Sequence, residues 1–150
     1  TPSFSAGEAM SLERRSIGIE LVSLGALTEK DGQLLDAYGG RLGRADELLE
    51  AGRVMRFDPA WRGVTWFAIY TEAQIAAVIK LVTFLCLTRG IPPVLPPAIA
   101  RAEAEPRQWL AFKGVVSHAM LRPDKTDVAP HFPFDRLAHA LGCLWPAGAF

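Results

Sequence analysis

Histidine is scarce in this chain, three residues in 150: His118, His131 and His139. Cysteine is scarcer. Cys86 and Cys143 form no CxxC pair, which excludes a thiolate zinc knuckle of that spacing. A single bridge between them stays open, but ordinary thiols, at least one packed in a helix, are the expected state, so the cysteines do not report a compartment. No charge of one sign dominates, since sixteen Lys and Arg balance sixteen Asp and Glu, and no block of like charge occurs. That excludes nucleic acid as an expected partner. Long apolar runs are also missing. The longest, Ile75 to Leu87, is interrupted by Lys80 and falls short of the roughly 20 residues that cross a bilayer, so no membrane span is expected. The glycine cluster "GGRLGR" lacks the GKS/T ending of a phosphate loop. There is no internal repeat. Methionine is absent from position 1, and no signal-like apolar segment follows, which points to an upstream segment that was removed or lay outside the product.

Half of the residues are hydrophobic and 21% charged, the composition of one globular domain with its own core. "SIGIELVSL" alternates Ile17, Ile19 and Leu21 against Gly18 and Glu20, the period of a half-buried strand with Glu20 on the outer face. Ala26 to Gly63 reads as a surface excursion carrying two weakly helical pieces, Asp31 to Tyr38 and Ala45 to Val54. From Thr71 to Arg89 the spacing predicts a helix. Thr71 and Gln74 form a capping box, Ile75, Val78, Ile79, Val82, Leu85 and Cys86 make an apolar stripe suited to packing on a sheet, and Gly90 stops it. "IPPVLPP" is stiff and extended, and Ala98 to Glu105 has helical composition before Pro106. "FKGVVSH" reads as a short buried strand ending at His118, Ala119 to Pro130 as a loop, and "FPFDRLAHAL" as an amphipathic helix with Leu137, Ala140 and Leu141 inward. The fold class expected is α/β, a mixed β-sheet flanked by helices.

Two of the three histidines fall within Ser117 to Phe132, together with Asp124, Lys125 and Asp127. A histidine at a strand end, followed after a short loop by Asp127, can place an imidazole nitrogen and a carboxylate oxygen about 2 Å from one cation, as in a zinc site. Two ligands are not a site, because a catalytic zinc uses three protein groups and a nearby carboxylate to accept a proton. Glu20 is the candidate for that base, and Lys125 for stabilising an oxyanion. The competing reading is a satisfied histidine beside a solvated, charged loop.

Three blocks carry a resemblance. "SIGIELV" at Ser16 to Val22, "YTEAQIAAVIKLV" at Tyr70 to Val82 and "SHAMLRPDKTDVAPHFPFDRL" at Ser117 to Leu137 resemble, in order and character, successive blocks of the zinc-dependent N-acetylmuramoyl-L-alanine amidases. That family includes phage amidase lysozymes and peptidoglycan recognition proteins. The resemblance implies that His118 and Asp127 are ligands of Zn2+, that Lys125 steadies the tetrahedral intermediate, and that Glu20 is the acid/base. It implies cleavage of the amide between the lactyl group of N-acetylmuramic acid and the L-alanine of the stem peptide. The substrate would be peptidoglycan or a muropeptide, in the periplasm, the cell envelope or a phage-associated setting.

The sequence departs from the family pattern in four places. Ser117 stands where glycine is usual, the loop from His118 to Lys125 is one residue shorter, no arginine precedes Lys125, and Val128-Ala129 replaces Pro-Gly. Family domains also open with a strand ending in a first zinc-ligand histidine, and Thr1 to Arg15 contains none; "SAG" at Ser5 to Gly7 resembles a histidine-alanine-glycine segment with serine in place of histidine. The resemblance therefore covers about the C-terminal two thirds of the family domain, with the N-terminal strand missing from this chain. Three expectations follow, in order of preference. An N-terminal fragment of the same precursor supplies the missing strand and ligand; the chain is a catalytically degenerate amidase that binds peptidoglycan or serves as a structural component; or His131 or His139 is recruited. Both histidines also fit ordinary roles, His139 on the solvent side of the last helix. Of the tryptophans, Trp61, Trp66, Trp109 and Trp145, core packing explains most, and Trp61 with Trp66 is the pair expected to line a glycan groove.

Overall fold

The segment read as an excursion folds as β-structure, and two pairs of residues explain why. Asp31-Gly32 and Arg62-Gly63 both hold positive φ (52° and 73°, 50° and 77°), the conformation of a two-residue hairpin turn whose twist matches the flanking strands. A computed structural model of the chain describes residues 14–96, 109 and 111–142. It divides into two compact units, Val22–Thr71 and a second made of Thr1–Leu21 with Glu72–Phe150.

In the first unit, β1 (Ala26–Lys30) turns at Asp31-Gly32 into β2 (Gln33–Leu35), with Lys30 opposite Gln33. β3 (Arg41–Arg44) runs directly into the short helix α1 (Ala45–Glu50). β4 (Val54–Trp61) turns at Arg62-Gly63 into β5 (Val64–Ala68), with Trp61 opposite Val64. The order is β3-β2-β1-β5-β4, antiparallel throughout, so the expected mixed sheet is corrected to an antiparallel one. The helix expected over Asp31–Tyr38 is replaced by β2, and the one over Ala45–Val54 ends at Glu50. One face packs Leu27, Leu34, Val54, Trp66 and Ala68 against Ala45 and Leu48 of α1. On the opposite face Phe67 is fully buried, edge-on to Phe57 at 5.4 Å and tilted against Trp61 at 6.0 Å.

The second unit is built on α2 (Glu72–Arg89). Ile75, Val82 and Cys86 are buried and Val78, Ile79 and Leu85 half-buried, so the expected stripe is the inner face, and Gly90 at φ 64° ends the helix. Cys86 is a buried thiol. The described sheet belongs to the other unit; what packs on α2 here is α4 (Phe134–Leu141). Arg136 of α4 holds the Glu72 carboxylate at 2.9 and 3.1 Å. The buried face of α4 is Phe134, Leu137 and Ala138, an i, i+3, i+4 set; Ala140, expected inward, is exposed. No helix among the described residues is long and apolar enough to cross a membrane.

Neither strand expected in this unit forms. Among the described residues, Ile17–Leu21 has the alternation of a strand but no ladder, and Lys113–Ser117 makes a single backbone bond of this kind, from Val115 N–H to the Val94 carbonyl at 2.9 Å. Hydrophobic alternation is local, whereas a strand exists only with a neighbour to pair with. His118 opens a one-turn helix, α3 (His118–Leu121), instead of closing a strand. Gly114 shows how tight the Val94–Val115 approach is. A Cβ there would run into the Val94 carbonyl oxygen and lie 2.7 Å from the Phe112 ring, at φ 155°. Gly114→Ala is expected to cost roughly 1–3 kcal/mol of stability, read as a lower melting midpoint. Ala98–Glu105, Cys143 and Trp145 lie outside the described residues.

Candidate functional site

The chain between Ser117 and Phe132 is pinned at both ends by burial. Ala119 and Met120 on α3, and Ala129 and Phe132 after the loop, are buried, with Phe132 edge-on to Phe134 at 4.9 Å. Between these anchors the polar residues face outward. Arg122 clasps Asp124 through two bonds of 3.0 and 2.8 Å, and Lys125 N–H donates to the Arg122 carbonyl at 3.2 Å. Bonded to the guanidinium, the Asp124 carboxyl is held below its usual range, so the clasp is formed at neutral pH and is lost as acid protonates Asp124.

The returning loop is tied to the helix it left, since Ala119 N–H donates to the Asp127 carbonyl at 2.8 Å. That bond sets the side chains together. His118 Nδ1 lies 2.8 Å from Asp127 Oδ2 across a nine-residue separation, with side-chain exposures of 43% and 62%. Two arrangements suit this geometry. With a proton between them, Asp127 accepts from Nδ1–H and fixes the tautomer that leaves Nε2 with its lone pair. With a cation between them, donors on tetrahedral arms of about 2.0–2.1 Å stand roughly 3.3 Å apart, an opening of about half an ångström from the observed contact. The donor types, one imidazole and one carboxylate, suit zinc. Among the described residues no group of three His, Cys, Asp or Glu side chains could hold a metal, so the pair alone falls short of a metal site.

The other candidates are placed as follows. Lys125 is half-buried in the same loop, two residues before Asp127. Glu20 is exposed, on the stretch expected to be a strand. His139 is exposed on the last turn of α4, and His131 is half-buried in the turn that precedes it. Trp61 and Trp66 belong to the antiparallel unit. Trp66 is 6% exposed, and its indole N–H donates to Glu29 at 2.7 Å, so it is core and offers no face to a sugar, contrary to the groove expectation. Trp61 is half-buried, with the Arg62 guanidinium 5.0 Å over its ring.

Two features of the second unit were not singled out from the sequence. The Arg122–Asp124 clasp was signalled only by its i, i+2 spacing. Ser117, noted only as a replacement for glycine, is buried with its hydroxyl unpartnered, as is the indole nitrogen of Trp109. Compared with protein-family models, with curated proteins and with solved structures, the chain finds no match.

Proposed function

We propose that this chain is part of a zinc-dependent peptidoglycan amidase that cleaves the bond between N-acetylmuramic acid and L-alanine of the stem peptide. The observation that carries this reading is the convergence of His118 Nδ1 and Asp127 Oδ2, the two ligands that the block resemblance nominates. His118 and Asp127 would hold the metal, with a third ligand from outside the described residues; an N-terminal fragment of the same precursor is the source we favour. Zinc, when bound, would supply Lewis-acid polarisation of the scissile carbonyl and acidify a water. Glu20 would accept a proton and return it to the departing amine of L-alanine, and the Lys125 ammonium would offset charge building on the carbonyl oxygen.

The test is zinc content and amide cleavage, measured on the protein as isolated with any fragment that accompanies it. We expect close to one zinc per chain and release of L-alanine-headed peptide from a muropeptide. A second reading, a degenerate amidase that binds or builds without cutting, is favoured by one observation, that the described residues bring together two metal-capable side chains and not three. Muropeptide binding with neither zinc nor turnover would establish that reading and overturn the first.

A further inference from the structure

The second unit contains a cavity of about 710 Å3. One wall is α2, through Val78, Val82 and Leu85. Another is the stretch from Ile17 to Leu21, and the way it lines the cavity fixes its conformation. Ile17, Ile19 and Leu21 face in while Gly18 and Glu20 do not, the alternation of extended backbone. Yet among the described residues no hydrogen bond involves Ile17 to Leu21, so this stretch stands as an open strand edge beside an apolar space. Such an edge is a template for another strand.

Two further observations point to an occupant. The Ser117 hydroxyl and the Trp109 indole N–H both belong to cavity-lining residues and are buried without partners. Among the described residues, the charged ones that line the cavity are the cations Arg14, Arg15, Arg89 and Lys113. A small apolar molecule of the size that fits, within the ~300–1,000 Å3 range of ligand pockets, would leave the peptide edge unpaired.

We propose that this cavity takes an extended strand from another polypeptide. Its backbone pairs with Ile17–Leu21, its alternate apolar side chains fill the space between that edge and α2, and its carboxylates meet the cationic rim. The occupant is thus an acidic, alternating peptide segment. This inference does not rest on the hydrolase reading, because neither the edge nor the cavity uses zinc.

The experiment follows amide hydrogen exchange at Ile17–Leu21 by NMR, on the full chain and on its His118→Ala variant, both without zinc. The probe is a synthetic heptapeptide, Glu-Val-Thr-Val-Thr-Val-Glu. At a concentration of about 100 times its Kd, exchange at the paired amides is expected to slow about 100-fold. The same peptide with lysine ends should bind more weakly, and one N-methylated along its pairing edge should give no protection. Unchanged exchange under the heptapeptide overturns the proposal. So does protection already present without peptide, whether it varies with protein concentration, as for a second copy, or not, as for a segment of the same chain. Decanoate that perturbs Trp109 fluorescence where the heptapeptide does not would likewise overturn it, in favour of a small apolar ligand.

Discussion

His118→Ala should leave the fold intact and, on the proposed hydrolase reading, abolish zinc binding. The side chain is 43% exposed, so its loss opens no core cavity, and α3 is held from beneath by Ala119 and Met120. What disappears is one of the two side chains of the His118–Asp127 pair, and no group of three occurs among the described residues. Removing outer-shell partners of metal ligands already costs 10–100-fold in affinity, so loss of a ligand should exceed about 100-fold and turnover should fall to background. Asp127→Asn is the sharper variant. The amide can still accept from Nδ1–H through its oxygen, so the loop geometry is kept while the negative charge that favours a dication is lost. Both variants should show the parent melting midpoint and fail to regain activity when zinc is restored after chelation, whereas the parent regains it. Should turnover survive in either variant, zinc held by this pair is not the catalyst. Should zinc content fall while muropeptide binding is untouched, metal and glycan recognition are separate.

The largest effect on stability is expected at Phe67. It is fully buried, on the inner strand β5, with Phe57 at right angles to it and Trp61 tilted against it. Truncating a buried phenylalanine to alanine removes its transfer free energy and leaves a cavity, together about 3–5 kcal/mol. Whole domains are stable by only about 5–15 kcal/mol, so Phe67→Ala should unfold much of the Val22–Thr71 unit at moderate temperature. Amide exchange along β1 and β5 would show it directly. Phe67→Leu, which fills most of the space, should cost clearly less. A loss below about 1 kcal/mol for Phe67→Ala would mean that the two aromatic neighbours collapse into the gap.

What could be read from the sequence divides by the range of the information. α2 was legible from Ile75, Val78, Ile79, Val82, Leu85 and Cys86 with Gly90 as its stop, because a helix bonds within itself and its pattern is local. α4 was legible for the same reason, although it starts at Phe134 and its buried face is Phe134, Leu137 and Ala138, with Ala140 exposed. The antiparallel sheet was written more faintly, in the turn pairs Asp31-Gly32 and Arg62-Gly63 with Lys30 opposite Gln33 and Trp61 opposite Val64. Reading Asp31 to Tyr38 by composition hid the first of these, since the turn and not the flanking residues carries the signal. Ile17 to Leu21 shows the reverse case, a correct period with no ladder. The His118–Asp127 meeting could be suspected from spacing, but it depends on the Ala119–Asp127 backbone bond, which no single-sequence pattern encodes.

The bond from Ala68 N–H to the Gly25 carbonyl, 2.9 Å, places the entrance and exit of the five-stranded sheet side by side. A stretch that leaves where it arrives is a cassette, and its length can change without displacing what precedes or follows it. Excising it and joining its two flanks with a short glycine-serine bridge should therefore be tolerated, and duplications or losses of this stretch are the kind of rearrangement that the topology permits.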